Sequence, residues 1–190
     1  MGKIRSFFSV DYHYKEEVRN YTRIDGILAI VYYVILMILY FFMGRLYLNK
    51  QIYLGRPINL LCALICILIV LLRKQKLSSL GITKYKLKSS IILGSFLGIL
   101  FLVFNGIIPA LFSERELISA DMLLYNIFYF FTVIGFVEEL IFRGFIQTRL
   151  YGIIKNNFLA IIITGVMFSL MHIPFQMSHV NVSLSQCISE

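Results

Sequence analysis

The sequence predicts an all-α fold, a polytopic transmembrane helix bundle of about five spans, on three observations. Hydrophobic residues make up 59% of the 190-residue chain and charged residues 15%, a greasier balance than the roughly half apolar share of soluble domains. The apolar residues gather into runs long enough to cross about 30 Å of hydrocarbon at about 1.5 Å per helical residue. The basic residues sit in short clusters between those runs rather than along one face. That distribution argues against a nucleic-acid partner despite a formal charge of +8.

Residues 1–25, opening with "MGKIRSFFSV", are mixed-charge and aromatic and read as a cytoplasmic N-terminal segment. Glu16 and Glu17 lie there with Arg19, where a solvated surface accounts for them. Gly2 and Ser6 fit a myristoylation pattern, from which a multi-span chain gains little. The apolar run that follows is too long for a cleaved signal and lacks a small-residue cleavage site, so it reads as a retained first helix.

Residues 26–190 form the expected bundle. The spans run from Gly26 to Leu48, Pro57 to Leu72, Ser90 to Phe112, Met122 to Ile146, and Phe158 to Phe175. The second is short and can recruit "QIYLG" before it. Cys62 and Cys66 fall in an apolar run and Cys187 near the end, so they read as buried small hydrophobes. The "GSFLG" stretch from Gly94 to Gly98 allows close helix approach, within this chain by default and with helix-mediated self-association as the second use. With the N-terminus inside, the cytoplasmic segments, Arg149 and Lys155 included, carry thirteen basic residues, against Arg45, Lys50, Arg56 and Arg115 outside. This asymmetry predicts a cytoplasmic N-terminus.

Charge inside the fourth span needs an explanation, because each ionised residue at mid-membrane costs about 2.5 to 3.5 kcal/mol on insertion scales. "GFVEELIFRGF" places Glu139 and Arg143 four apart, on one helical face, where they can pair. Glu138 is turned about 100 degrees away and needs another partner. The next span, "GVMFSLMHIPF", offers His172, with Phe168 one turn earlier on the same face and Gly165 below, where a neighbouring helix can come close. A carboxylate beside an imidazole can hold and deprotonate a water molecule, which is hydrolytic machinery. The other reading is a non-catalytic cluster that fixes helix packing, in which breaking a buried Glu139–Arg143 pair strands a charge.

Glu138-Glu139-x-x-x-Arg143 followed by Phe168-x-x-x-His172 resembles the CAAX protease and bacteriocin-processing (Abi) family of intramembrane proteases, over roughly Asn126 to Phe175. The resemblance implies a membrane endopeptidase that cleaves peptide or prenylated-protein substrates beside the lipid bilayer. Glu138 and His172 then activate water, Glu139 and Arg143 support the site, and Phe168 lies against the substrate. It also implies a multi-pass protein of a bacterial plasma membrane, and allows a non-catalytic relative involved in bacteriocin immunity. Zinc is the candidate cofactor, with Glu138 and His172 as donors and no convincing third ligand. The family carries a later His-x-x-x-Asn or His-x-x-x-Asp motif for oxyanion stabilisation; after His172 this chain offers only His179 and Asn181, two apart. A C-terminally shortened member with weakened activity is therefore expected. Depth sets a further condition: if the fourth span ends near Ile146, Glu138 and His172 meet only when the fourth helix ends early or the fifth is tilted or begins deeper.

Overall fold

The computed structural model describes residues 12–112 and 120–180; Gly2, Ser6, Arg115, Asn181, Cys187 and the side chain of His179 lie outside the described part. Helix α1 spans Tyr12–Arg19, α2 Arg23–Lys50 and α3 Gly55–Leu72, followed by a 3₁₀ turn, Leu77–Leu80. Helix α4 covers Leu87–Phe112. A continuous helical stretch over residues 120–154, here α5, contains two π-helical segments, Phe130–Gly135 and Glu139–Gln147. Helices α6, Asn157–Leu170, and α7, His172–Val180, complete the described chain, which contains no strand.

Four helical segments are long and apolar enough to cross a membrane: Arg23–Lys50, Gly55–Leu72, Leu87–Phe112 and Asn157–Ser178. The expected fourth span falls inside α5, whose α-helical geometry is interrupted by the π segments around its charged residues. The break between α6 and α7 follows from Pro174. Proline has no amide hydrogen to offer the Leu170 carbonyl and its ring crowds that oxygen, so the α-helix is interrupted at Met171, whose N–H still reaches Met167 O at 3.1 Å.

The core gathers α2, α3, the second half of α5 and α6 as far as Met171. Tyr32, Leu36, Cys62, Cys66, Val70, Phe145 and Ile146 are buried there, and Tyr32 meets Phe145 edge-on at 5.3 Å between ring centroids. The Tyr32 hydroxyl donates to Cys62 O at 2.9 Å, so a hydroxyl that would otherwise be stranded is satisfied. Cys62 and Cys66 are free and buried, as expected.

Glycines set two close approaches. A Cβ at Gly44 would lie 2.8 Å from Phe175 O and overlap Ser178 Oγ, so α2 and α7 touch backbone to backbone there. At Gly152 a Cβ would overlap the Thr22 carbonyl, which seats the end of α5 on the start of α2. Two expected contacts are not made. A Cβ at Gly94, Gly98 or Gly165 would meet nothing within 4 Å, and Leu87–Leu102 has no buried residue. The small-residue stripe therefore does not pack within the described chain: short side chains permit approach, but no described helix lies opposite.

The cytoplasmic-type residues are also less solvated than their composition suggests. Glu17 accepts the backbone N–H of Lys76 at 2.7 Å, docking α1 on the turn after α3. Glu16 is exposed and accepts from the Tyr12 hydroxyl. Asp25 is 3% exposed. It caps α2 by accepting the Thr22 N–H at 2.8 Å, and also takes Gln75 Nε2 at 2.7 Å and Arg73 at 3.2 Å.

Candidate active site

Helix α5 is longer than the expected fourth span. This helix continues past Ile146 to Ile154 and turns back into α6 at Asn157. Glu138 lies sixteen residues before Ile154, and His172 fifteen residues after Asn157. Glu138 is half-buried and His172 exposed on the surface of the chain, and the carboxylate is within electrostatic reach of the imidazole.

A row of aromatic contacts holds the imidazole. Phe142 meets Phe168 edge-on at 5.1 Å between centroids, Phe168 meets His172 at 5.3 Å, and Tyr33 abuts Phe142 at 6.4 Å. The Tyr33 hydroxyl donates to Met167 O at 2.9 Å, tying α2 to α6 one residue before Phe168. His172 Nδ1 lies 3.1 Å from Phe168 O. A carbonyl oxygen can only accept, so Nδ1 is the donor in this contact. Phe168 is engaged with Phe142 and His172, contacts that position the imidazole.

Glu139 and Arg143 go elsewhere. They pair at 3.0 Å, with side chains 56% and 73% exposed. The pair lines a cleft of about 550 Å³ between α5, the turn after α3 and the start of α4. Among the described residues no hydrogen bond or ion pair joins it to His172. The expectation of a buried pair is corrected: Glu139 and Arg143 share a face, but it opens on the cleft rather than on a neighbouring helix.

Tyr40 and Tyr53 are within electrostatic reach of Glu138, and neither was expected in the site. The Tyr40 hydroxyl donates to Asn59 Oδ1 at 2.7 Å. The signal lay in Asn59, a lone amide in an otherwise apolar helix, since polar groups inside spans usually have partners or tasks.

Arg149 was expected among solvated cytoplasmic charges, yet it is 1% exposed. Its Nη1 donates to Gly144 O at 3.0 Å and Thr148 Oγ1 at 2.7 Å. Its Nη2 donates to Gln75 Oε1 at 2.9 Å and Ser79 Oγ at 2.8 Å. The guanidinium lies 4.8 Å from the Tyr21 ring centroid and 4.9 Å from that of Phe145. Burial pushes the Tyr21 phenol up to about 12, so it remains a neutral aromatic face for the cation near neutral pH. Through Gln75, this knot joins Asp25 and Arg73.

Residues 120–188 match the family model described as type II CAAX prenyl endopeptidase Rce1-like. Over that stretch the chain is similar to the CAAX prenyl endopeptidases. The matched region holds Glu138, Glu139, Arg143, Phe168 and His172, the residues that carried the resemblance. No curated protein and no solved structure matches the chain.

Glu138 and His172 supply two metal donors, and among the described residues no group of three His, Cys, Asp or Glu side chains could hold an ion. A catalytic zinc takes three protein ligands. The described residues do not furnish that set.

Proposed function

We propose that the chain is a multi-pass membrane endopeptidase of the CAAX type, with its N-terminus cytoplasmic, hydrolysing peptide bonds of membrane-associated or prenylated peptides. The observation that supports it most is the Glu138 carboxylate within electrostatic reach of His172, with the imidazole oriented by Phe168 O. In this reading a water molecule is held between the Glu138 carboxylate and His172 Nε2. As the water oxygen adds to the scissile carbonyl, its proton passes to Glu138. The C–N bond then breaks and that proton goes to the departing amine, giving a free carboxylate and an amine. Tyr40, fixed by Asn59, and Tyr53 flank the carboxylate. Exposure of His172 at the surface of the chain suits a substrate that arrives laterally from the bilayer.

The test is cleavage of a farnesylated CAAX peptide by the full chain in nanodiscs. Glu138→Gln keeps shape and removes basicity, so cleavage should fall by about 10² to 10⁴ while melting stays near that of the parent. Cleavage at the parental rate by Glu138→Gln overturns the mechanism. The non-catalytic reading rested on a buried Glu139–Arg143 pair, and the exposure of that pair gives it no support.

A further inference from the structure

The two ends of the bundle differ in charge and in closure. At the first end the N-terminal segment, the turn after α3 and the turn between α5 and α6 meet. Lys155 Nζ donates to Tyr21 O at 2.7 Å, and Arg73 holds Asp25 at 3.2 Å. Lys74 and Lys76 stand on the same turn after α3. At the second end the link between α2 and α3, residues 51–54, meets α7, where Tyr53 lies edge-on to Phe175 at 6.1 Å between centroids. Helix α2 joins the two ends and is a ruler for α5, which runs back along it. A Cβ at Gly26 would lie 3.1 Å from Arg149 O. Further along, Tyr32 meets Phe145, Tyr33 meets Phe142, and Tyr40 is within electrostatic reach of Glu138. Tyr40 is ten residues from Lys50 but seventeen from Arg23, so Glu138 belongs to the second half of the bundle. Tyr53, at the second end itself, is also within reach of Glu138.

We propose that the Glu138–His172 site takes its peptide from the membrane face opposite the N-terminal segment, so that its substrates are membrane-associated peptides presented outside the cytoplasm. This rests on the protease reading with its cytoplasmic N-terminus, and it narrows the substrate. The basic residues of the first end are costly to translocate, which keeps that end inside. Between Glu138 and the first end the bundle is filled: Phe142, Phe145, Ile146, Arg149 and Leu150 are at most 4% exposed. A peptide coming that way would have to open a close-packed core and break the Arg149 hydrogen bonds to Gln75 and Ser79. The cleft on that side is lined by Glu139 and Arg143 but by neither Glu138 nor His172, so it does not lead to the pair. Towards the second end the cover is thin, with Ile52 and Tyr53 47% and 52% exposed on the short α2–α3 link. Arg56 stands there with its guanidinium 4.5 Å from the Tyr129 ring centroid. Tyrosines beside a cation are the rim found where a bundle meets the membrane–water interface, and Glu138 is reached from that rim.

The experiment places the full chain, in a Cys187→Ser background, in sealed right-side-out and inverted membrane vesicles and adds a membrane-impermeant maleimide. Ile52→Cys marks the second end, Lys76→Cys the first, and Glu138→Cys the site. Tyr40→Cys, from the ring that flanks the carboxylate, is a second site probe. Cys62 and Cys66 are buried and stay unlabelled in the folded chain, and melting of each variant establishes that it is folded. Ile52→Cys and at least one site probe should be labelled in right-side-out vesicles, and Lys76→Cys only in inverted ones. A farnesylated CAAX peptide bearing an impermeant fluorophore should be cleaved by the parent chain when added to right-side-out vesicles, and cleavage should be lost when it is added to inverted ones. The proposal is overturned by labelling of Lys76→Cys in right-side-out vesicles, by site probes that label only in inverted vesicles or from neither face, or by cleavage of peptide added to inverted vesicles. Labelling as expected with no cleavage on either face would instead overturn the protease reading, so the two failures are distinguishable.

Discussion

Arg149→Met should be among the most damaging single substitutions in this chain. Arg149 is 1% exposed and donates four hydrogen bonds of 2.7 to 3.0 Å. Methionine approximates the stem but supplies no donor. Gly144 O still receives the Thr148 hydroxyl at 2.6 Å, so the acceptors that lose most are Gln75 Oε1 and Ser79 Oγ. Each buried group left unsatisfied costs about 1 to 3 kcal/mol. Loss of the guanidinium stacked between Tyr21 and Phe145 adds roughly 1 to 2 kcal/mol. Sparing the cost of burying a cation offsets part of this, and the net loss is about 3 kcal/mol. For a chain of this length that corresponds to a fall in melting temperature of roughly 6 to 12 °C. A thiol-reactive dye provides the assay, because Cys62 and Cys66 are buried at 3% and 0% exposure and become reactive on unfolding. Arg149→Lys keeps the charge but not the fork and should fall between the two. A methionine variant that melts at or above the parental temperature would refute the reasoning.

Glu139→Gln, by contrast, breaks an exposed pair and should lower the melting temperature less than Arg149→Met does; the opposite ranking in the same dye assay contradicts the placement of Glu139 on the cleft. Gly44→Leu must push α7 away from α2 at Phe175 O, with a loss of about 1 to 3 kcal/mol, measurable by the same melting curve. Tyr33→Phe removes the bond to Met167 O and should cost about 1 kcal/mol. Phe168→Ala should lower kcat for a prenylated peptide more than it raises KM, because Phe168 orients His172, and retention of the parental pH profile with only KM changed would contradict that role.

Much of the bundle was legible because membrane helices announce themselves by apolar length. The pairing of Phe168 with His172 followed from helical spacing alone, and the separation of Glu138 from the Glu139–Arg143 pair from its 100-degree offset. The end of α5 was less legible. Polar and charged residues after Ile146 mark where an apolar span stops, not where hydrogen-bonded helix stops, and Thr148 to Ile154 continue the helix. The same distinction hid Arg149. Its partners Gln75 and Ser79 are 74 and 70 positions away, so nothing local distinguished it from Lys155. Pro174 did carry a readable signal for the break after α6. The glycines at 94, 98 and 165 show the limit of a permissive motif: it states that a helix could come close, and only the fold says whether one does.

Whether Glu138 and His172 act as one unit is tested most directly by a double-mutant cycle on cleavage of a farnesylated peptide. Two groups that together activate one water should be non-additive. Glu138→Gln, His172→Gln and the double variant should then be slowed to about the same rate. Losses that multiply in the double variant, or a His172→Gln variant that cleaves at the parental rate, would contradict the account.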